Sequence, residues 1–172
     1  MSVTPPAKRI RRASSATGAR IAVQLAVGAG GIPSATRLRR WARAAARGST
    51  EVVLRIVGAT EARRLNREFC RRDYATDVLT FVYCSRPRRG DIVLCHPVLA
   101  RAAREHGIAL AAHYAHLVVH GMLHLRGYEH RAKSDALRME RAEAHLLAKF
   151  GFRDPYAVES PQQVREGRPR LR

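Results

Sequence analysis

What most constrains the fold of this chain is an alternation that stops halfway. Short apolar, β-branched runs alternate with segments of helical periodicity up to about residue 95, and helices alone follow. Ile21 to Val27 reads as a strand with Gly28-Ala29-Gly30-Gly31 as its exit. Pro33-Ser34 opens an amphipathic helix to about Arg47, whose inner stripe is Leu38, Trp41, Ala42 and Ala45; Gly48 stops it. Glu51 to Val57 is a second strand, and Thr60 is placed to cap a helix from Glu61 to about Cys70. Val78 to Tyr83 is a third strand, Arg86 to Gly90 a turn with three arginines, and Asp91 to Cys95 a fourth strand. Helices then run from Pro97 to about Glu105, from about Leu110 to Leu125 with Gly127 as the exit, and from Asp135 to Phe150 behind a Ser134 cap. The pattern predicts an α+β fold of mixed α/β layers: a sheet of about four strands with about five helices packed on it.

At 172 residues the chain has room for one domain with a proper core. We place that domain at residues 20–158. Residues 1–19 are rich in Pro, Ser and Arg without periodicity and read as a disordered basic arm; residues 159–172 read as a similar tail. Lys8, Arg9, Arg11 and Arg12 precede the apolar stretch Ile21 to Ala29, a layout shared with secretory signals. That stretch is short and broken by Gln24, so the strand reading is preferred. No apolar run approaches the 18 or so residues of a membrane-spanning helix. The three cysteines, Cys70, Cys84 and Cys95, are odd in number and lack CxxC spacing, which argues against a disulfide framework or a thiolate zinc site and fits a reducing cytoplasm.

The charge is far from balanced. Thirty-two Lys and Arg face fourteen Asp and Glu, a net of +18. The excess is not confined to the ends, because residues 21–158 alone carry 23 bases and 12 acids. Such a surface attracts polyanions, of which nucleic acid is the commonest.

Five of the eight histidines fall between 113 and 130. His120 and His124 are four apart on a helix, so their imidazoles point the same way about one turn apart and can share a metal ion. The geometry is that of the HExxH metalloproteases, but the residue after His120 is Gly121, so the protease general base is missing from its place. A small residue there lets another element approach closely. Gly127 lets the chain turn back, and His130 can return to the same ion as a third ligand. Three neutral imidazoles leave one zinc position open to water, the layout of a catalytic site. His113 and His116 lie one or two turns earlier, and their preferred reading is packing or hydrogen bonding within the fold.

The run His120-Gly-Met-Leu-His-Leu-Arg-Gly-Tyr-Glu-His130 resembles the HGxLHLxGYDH signature of the YbeY family, bacterial metal-dependent endoribonucleases specific for single strands. Leu65-Asn66, Thr76-Asp77-Val78-Leu79-Thr80-Phe81, Gly90-Asp91-Ile92 and Asp154-Pro155-Tyr156 match further pieces in family order, so the resemblance spans about residues 20–158. It implies one zinc ion per chain on His120, His124 and His130, a central helix carrying the HxxxH pair, and a basic cleft above it. It also implies ribosomal RNA as substrate, with roles in 3′-end maturation and ribosome quality control, and the ribosome or its small subunit as partner.

The sequence departs from the family pattern at an informative place. A functionally important family Arg, in a pattern like LNxxYR, falls on Cys70 here, and Arg71 and Arg72 follow at once. Arg71 is taken as the residue that carries the Arg role, binding the scissile phosphate with its planar fork. Cys70 is read as an incidental thiol. Glu129 replaces the usual Asp beside His130. The loop between Tyr83 and Gly90 is short, and Arg86, Arg88 and Arg89 in it, together with Arg72, are candidates to hold RNA phosphates. Tyr74, Phe81 and Tyr83 are the nearest aromatic candidates for base stacking, all three equally suited to core or strand positions. The competing class is a ribosome-associated RNA-binding or assembly factor whose zinc is structural.

Overall fold

The computed structural model describes residues 18–129 and 132–157. Four strands, β1 (Ala19–Leu25), β2 (Thr50–Val57), β3 (Val78–Ser85) and β4 (Arg88–Cys95), form one sheet in the order β1-β2-β4-β3. Five helices accompany them: α1 (Ala35–Ala45), α2 (Ala59–Cys70), α3 (His96–Glu105), α4 (Leu110–Leu125) and α5 (Lys133–Ala148). β1, β2 and β4 pair in parallel, and β3 returns antiparallel along β4. The fold is α+β, with four strands and five helices among the described residues, in line with the expectation.

Period-two alternation decides which residues face which layer. Val52, Leu54 and Ile56 of β2 and Ile92 and Leu94 of β4 point into the larger core, with Leu38, Trp41 and Ala42 of α1 and Leu117, Val118 and Met122 of α4. Val57, Val93 and Cys95 point the other way, into a smaller core closed by Ala62 of α2. Residues of β4 are thus buried from both sides, as parallel strands require.

α4 has nine buried positions spread around its circumference, from Tyr114 to Leu125. A helix buried over most of its circumference has to be enclosed on most sides. It lies on β4, with α1, α3 and α5 around it. Two glycines allow this contact. A Cβ on Gly121 would stand 2.9 Å from two side-chain carbons of Ile92, and a Cβ on Gly90 would collide with the Phe81 carbonyl and with Leu125. The close approach anticipated at Gly121 is therefore that of strand β4.

Several local expectations are corrected. Thr60 is not a cap: α2 begins at Ala59 behind Gly58, which has no side chain to offer. Ser134 likewise lies inside α5, whose N-cap is Ala132. Ser34 does cap α1, accepting from the Arg37 amide. The turn expected from Arg86 to Gly90 is only Arg86-Pro87; Arg88 and Arg89 are the first residues of β4, because pairing with β3 and β2 extends the ladder beyond its apolar part. Ala19 already belongs to β1. The rest of the two expected arms lies outside the described residues, apart from Gly18. No described helix is long and apolar enough to cross a membrane.

Candidate metal centre

Once sheet and helices have covered the apolar faces of α4, its polar stripe is His116, His120 and His124, one turn apart. All three rings are partly exposed. His120 Nε2 and His124 Nε2 lie 3.1 Å apart, with the ring planes at 83°. The opposite nitrogens are anchored outward. His120 Nδ1 donates to Glu143 Oε1 at 2.7 Å, and His124 Nδ1 donates to the Tyr128 carbonyl at 2.9 Å. Both acceptors lack protons, so each neutral ring carries its hydrogen on Nδ1 and presents Nε2 as a lone pair. Two lone pairs facing at that distance need positive charge between them. Two nitrogens on one tetrahedral zinc, at about 2.0–2.1 Å each, lie about 3.3 Å apart. The pair therefore fits one metal ion.

The Tyr128 carbonyl reaches His124 because α4 ends at once: Gly127 adopts φ +84°, and the chain turns back over the last turn. Glu143, on α5, is fully buried. It accepts from His120, from His116 Nε2 at 3.2 Å and from the Tyr156 hydroxyl in a short hydrogen bond. Burial pushes this carboxyl up, but the hydrogen bonds from His116, His120 and Tyr156 outweigh it and hold it at about 2. Glu143 is thus a carboxylate made permanent by its donors, and it aims His120. Tyr156 is shifted upward by burial and by the Glu143 charge, so it remains a donor.

A second grouping shares one of these rings. His116, His120 and Glu143 each bring a possible ligand atom within 4.8 Å of the others. A cation there would displace the donors that now satisfy Glu143, whereas an ion between the two Nε2 atoms leaves them in place. We favour the Nε2 pair on that ground. The expectation that His116 hydrogen-bonds within the fold agrees with its contacts to Glu143 and Tyr156. His113 meets the packing half of that expectation: its Nε2 is buried, without a hydrogen-bond partner among the described residues.

Known proteins resemble this arrangement in sequence. A family profile described as Endoribonuclease YbeY matches residues 35–151. The Endoribonuclease YbeY of Aromatoleum aromaticum is 52% identical over 141 residues, 80% of this chain and 92% of that one. The chain belongs to the endoribonuclease YbeY family. The Thiobacillus denitrificans protein of the same name is 48% identical over 140 residues, covering 80% of this chain and 95% of its own. A solution structure from Thermotoga maritima shares the fold, with a TM-score of 0.52 over 81% of this chain and 99% of that one, at 24% identity.

Within the YbeY frame, the arginines singled out from sequence are dispersed. Arg71 is the C-cap of α2, exposed, with φ +60°, a left-handed conformation. Arg72 donates to the Tyr74 hydroxyl at 3.3 Å. Arg89 pairs with Glu51 on the sheet at 3.1 Å, and Arg88 donates to the Arg47 carbonyl at 2.7 Å. Arg86 is exposed in the hairpin turn. Cys70 is exposed at the end of α2. His130, the expected third ligand, lies outside the described residues.

Sequence reasoning missed Glu143. Its signal was available: between Met139 and Leu147, each four residues away, an acidic residue occupies the buried stripe of α5. A charge placed there calls for partners.

Proposed function

We propose that this chain is a zinc-dependent endoribonuclease that cuts single-stranded RNA, with the ion held by Nε2 of His120 and His124 and by His130. The observation that carries the reading is the facing Nε2 pair, 3.1 Å apart, with both Nδ1 atoms anchored. Family membership supports RNA as the substrate, and the net charge of +18 suits a polyanion. His130 stands six residues after His124 in the sequence, past the Gly127 reversal.

A bound zinc would supply a water acidified to a pKa of about 7 and a Lewis acid for the phosphoryl oxygen. The protein's own groups do the rest. Glu143 and the Tyr128 carbonyl hold the two imidazoles in one tautomer and one orientation. Arg71, at the mouth of the α2–β3 connection, takes the scissile phosphate. Arg72, Arg86, Arg88 and Arg89 hold flanking phosphates without reading sequence. We place the activity in the cytoplasm, in ribosomal RNA 3′-end maturation and ribosome quality control, with the small ribosomal subunit as partner and residues 20–158 as the catalytic domain.

The test is cleavage of a single-stranded RNA with and without chelator, alongside folded His124→Ala and Arg71→Ala. Cleavage should vanish with the chelator, return with zinc and be absent from His124→Ala. Arg71→Ala should lower kcat/KM by about 10²-fold or more if it stabilises the transition state. Zinc and RNA binding without cleavage would instead favour an assembly factor with a structural zinc.

A further inference from the structure

Three arginines from distant parts of the sequence meet at one corner of the fold. α1 ends at Ala45, α4 ends at Leu125 and β4 begins at Arg88, all at the same end of the sheet. Arg126 Nη1 donates to the Ala45 carbonyl at 3.3 Å, Arg47 Nη1 to the Ala46 carbonyl at 3.4 Å, and Arg88 Nη1 to the Arg47 carbonyl at 2.7 Å. Three guanidinium groups thus sit on three consecutive carbonyls. Among the described residues, no carboxylate pairs with any of the three.

Capping of α1 accounts for one donor on each group, since cations suit a helix C-terminus. It does not account for gathering three of them. Each guanidinium has five N–H donors, and the carbonyls use one apiece. Arg88 and Arg126 are half-buried, so their charges are partly desolvated. Like charges are gathered this way where an anion completes the set.

The cluster adjoins the end of α4 that carries His124. The Arg126 guanidinium lies 5.2 Å over the ring of Tyr128, whose carbonyl holds His124, and Arg138 lies 5.3 Å over the same ring. Tyr128 thus links the cluster to the His124 ring.

We propose that Arg47, Arg88 and Arg126 form a phosphate-binding subsite that holds the backbone of single-stranded RNA beside His124. The subsite rests on the RNA reading given above and extends it by two residues that sequence did not single out, Arg47 and Arg126. Because it grips backbone, it raises affinity for every sequence alike and acts on KM more than on kcat.

The test uses the full zinc-loaded chain and a labelled 2′-O-methyl oligoribonucleotide, with affinity measured across a series of salt concentrations. Arg47→Gln/Arg88→Gln/Arg126→Gln keeps a donor for each carbonyl but removes the charges. For single strands each phosphate released lowers the slope of log K against log salt by about 0.7, roughly a fivefold affinity loss at 0.1 M salt. The triple variant should lose between about one and three such steps, and the matching triple Lys variant should retain them. Arg101→Gln/Arg104→Gln, on α3, should leave the slope unchanged. If the triple Gln variant does not fold, exposed Arg47→Gln alone should lose one step. An unchanged slope in a folded variant, or an equal loss in the α3 control, overturns the subsite while leaving the nuclease reading intact. A wild-type chain that neither binds nor cuts RNA overturns both.

Discussion

Glu143→Gln separates the two ways a metal could sit on α4. The carboxylate is fully buried and takes three donors: His120 at 2.7 Å, His116 at 3.2 Å and Tyr156. An amide of the same shape keeps one acceptor oxygen and turns an NH₂ toward donors on its other side. At least one hydrogen bond to a charged acceptor is lost, about 1.5–3 kcal/mol, and the orientation of His120 loosens. Changes to a carboxylate that orients a metal-bound imidazole weaken metal affinity by about 10–100-fold, or about 1.4–2.7 kcal/mol. Zinc affinity would be measured by chelator competition, and thermal unfolding would be followed with and without zinc. We expect the folded variant to bind zinc 10–100-fold more weakly, and His124→Ala to bind it much more weakly still. Wild-type affinity in Glu143→Gln would show that the Nδ1 anchor does not orient the ligand. Complete loss of zinc in Glu143→Gln, with His124→Ala still binding, would place the ion on His116, His120 and Glu143 and refute the Nε2 reasoning.

Further expectations follow from other contacts. Gly121→Ala forces a Cβ against the buried Ile92 and should cost about 1–3 kcal/mol in urea unfolding; Gly90→Ala meets the Phe81 backbone, which cannot step aside, and should cost more. Arg71→Gly should raise stability by roughly 0.5–1 kcal/mol, because φ +60° strains any residue with a Cβ, even as it removes the charge assigned to phosphate binding. Asp91 is half-buried, and burial raises its carboxyl more than the Tyr83 hydroxyl (2.8 Å) and the Arg55 charge lower it. Its folded form therefore holds its proton to higher pH than the unfolded form, so stability falls as pH rises through the window between the two values. Asp91→Asn should flatten the pH–stability curve there, as thermal melts from pH 3 to 7 would show; an unchanged curve would refute the assignment.

Much of this protein was legible along the chain because local rules act over a few residues. Hydrophobic period located the four strands and five helices found among the described residues, and the reach of an imidazole at i and i+4 singled out His120 and His124. Gly127 marked the helix exit. Local rules failed where partners came from afar. Thr60 and Ser134 look like caps, yet the helices start two residues earlier than those caps imply in each case. Arg88 and Arg89 look like turn residues, yet ladder pairing drew them into β4. The choice of Nε2 as the metal-facing nitrogen depends on Glu143, 23 residues from His120, and no spacing rule reports that. The meeting of Arg47, Arg88 and Arg126 likewise depends on the order of strands in the sheet, which brings one end of α1, β4 and α4 to the same corner. The sequence by itself determined which elements form and which imidazoles share one face of a helix, because those follow from short-range periodicity and side-chain type. Tertiary structure alone decided how the imidazoles are aimed and which charges stand together, because hydrogen bonds and Coulomb interactions act through space between groups far apart in the chain.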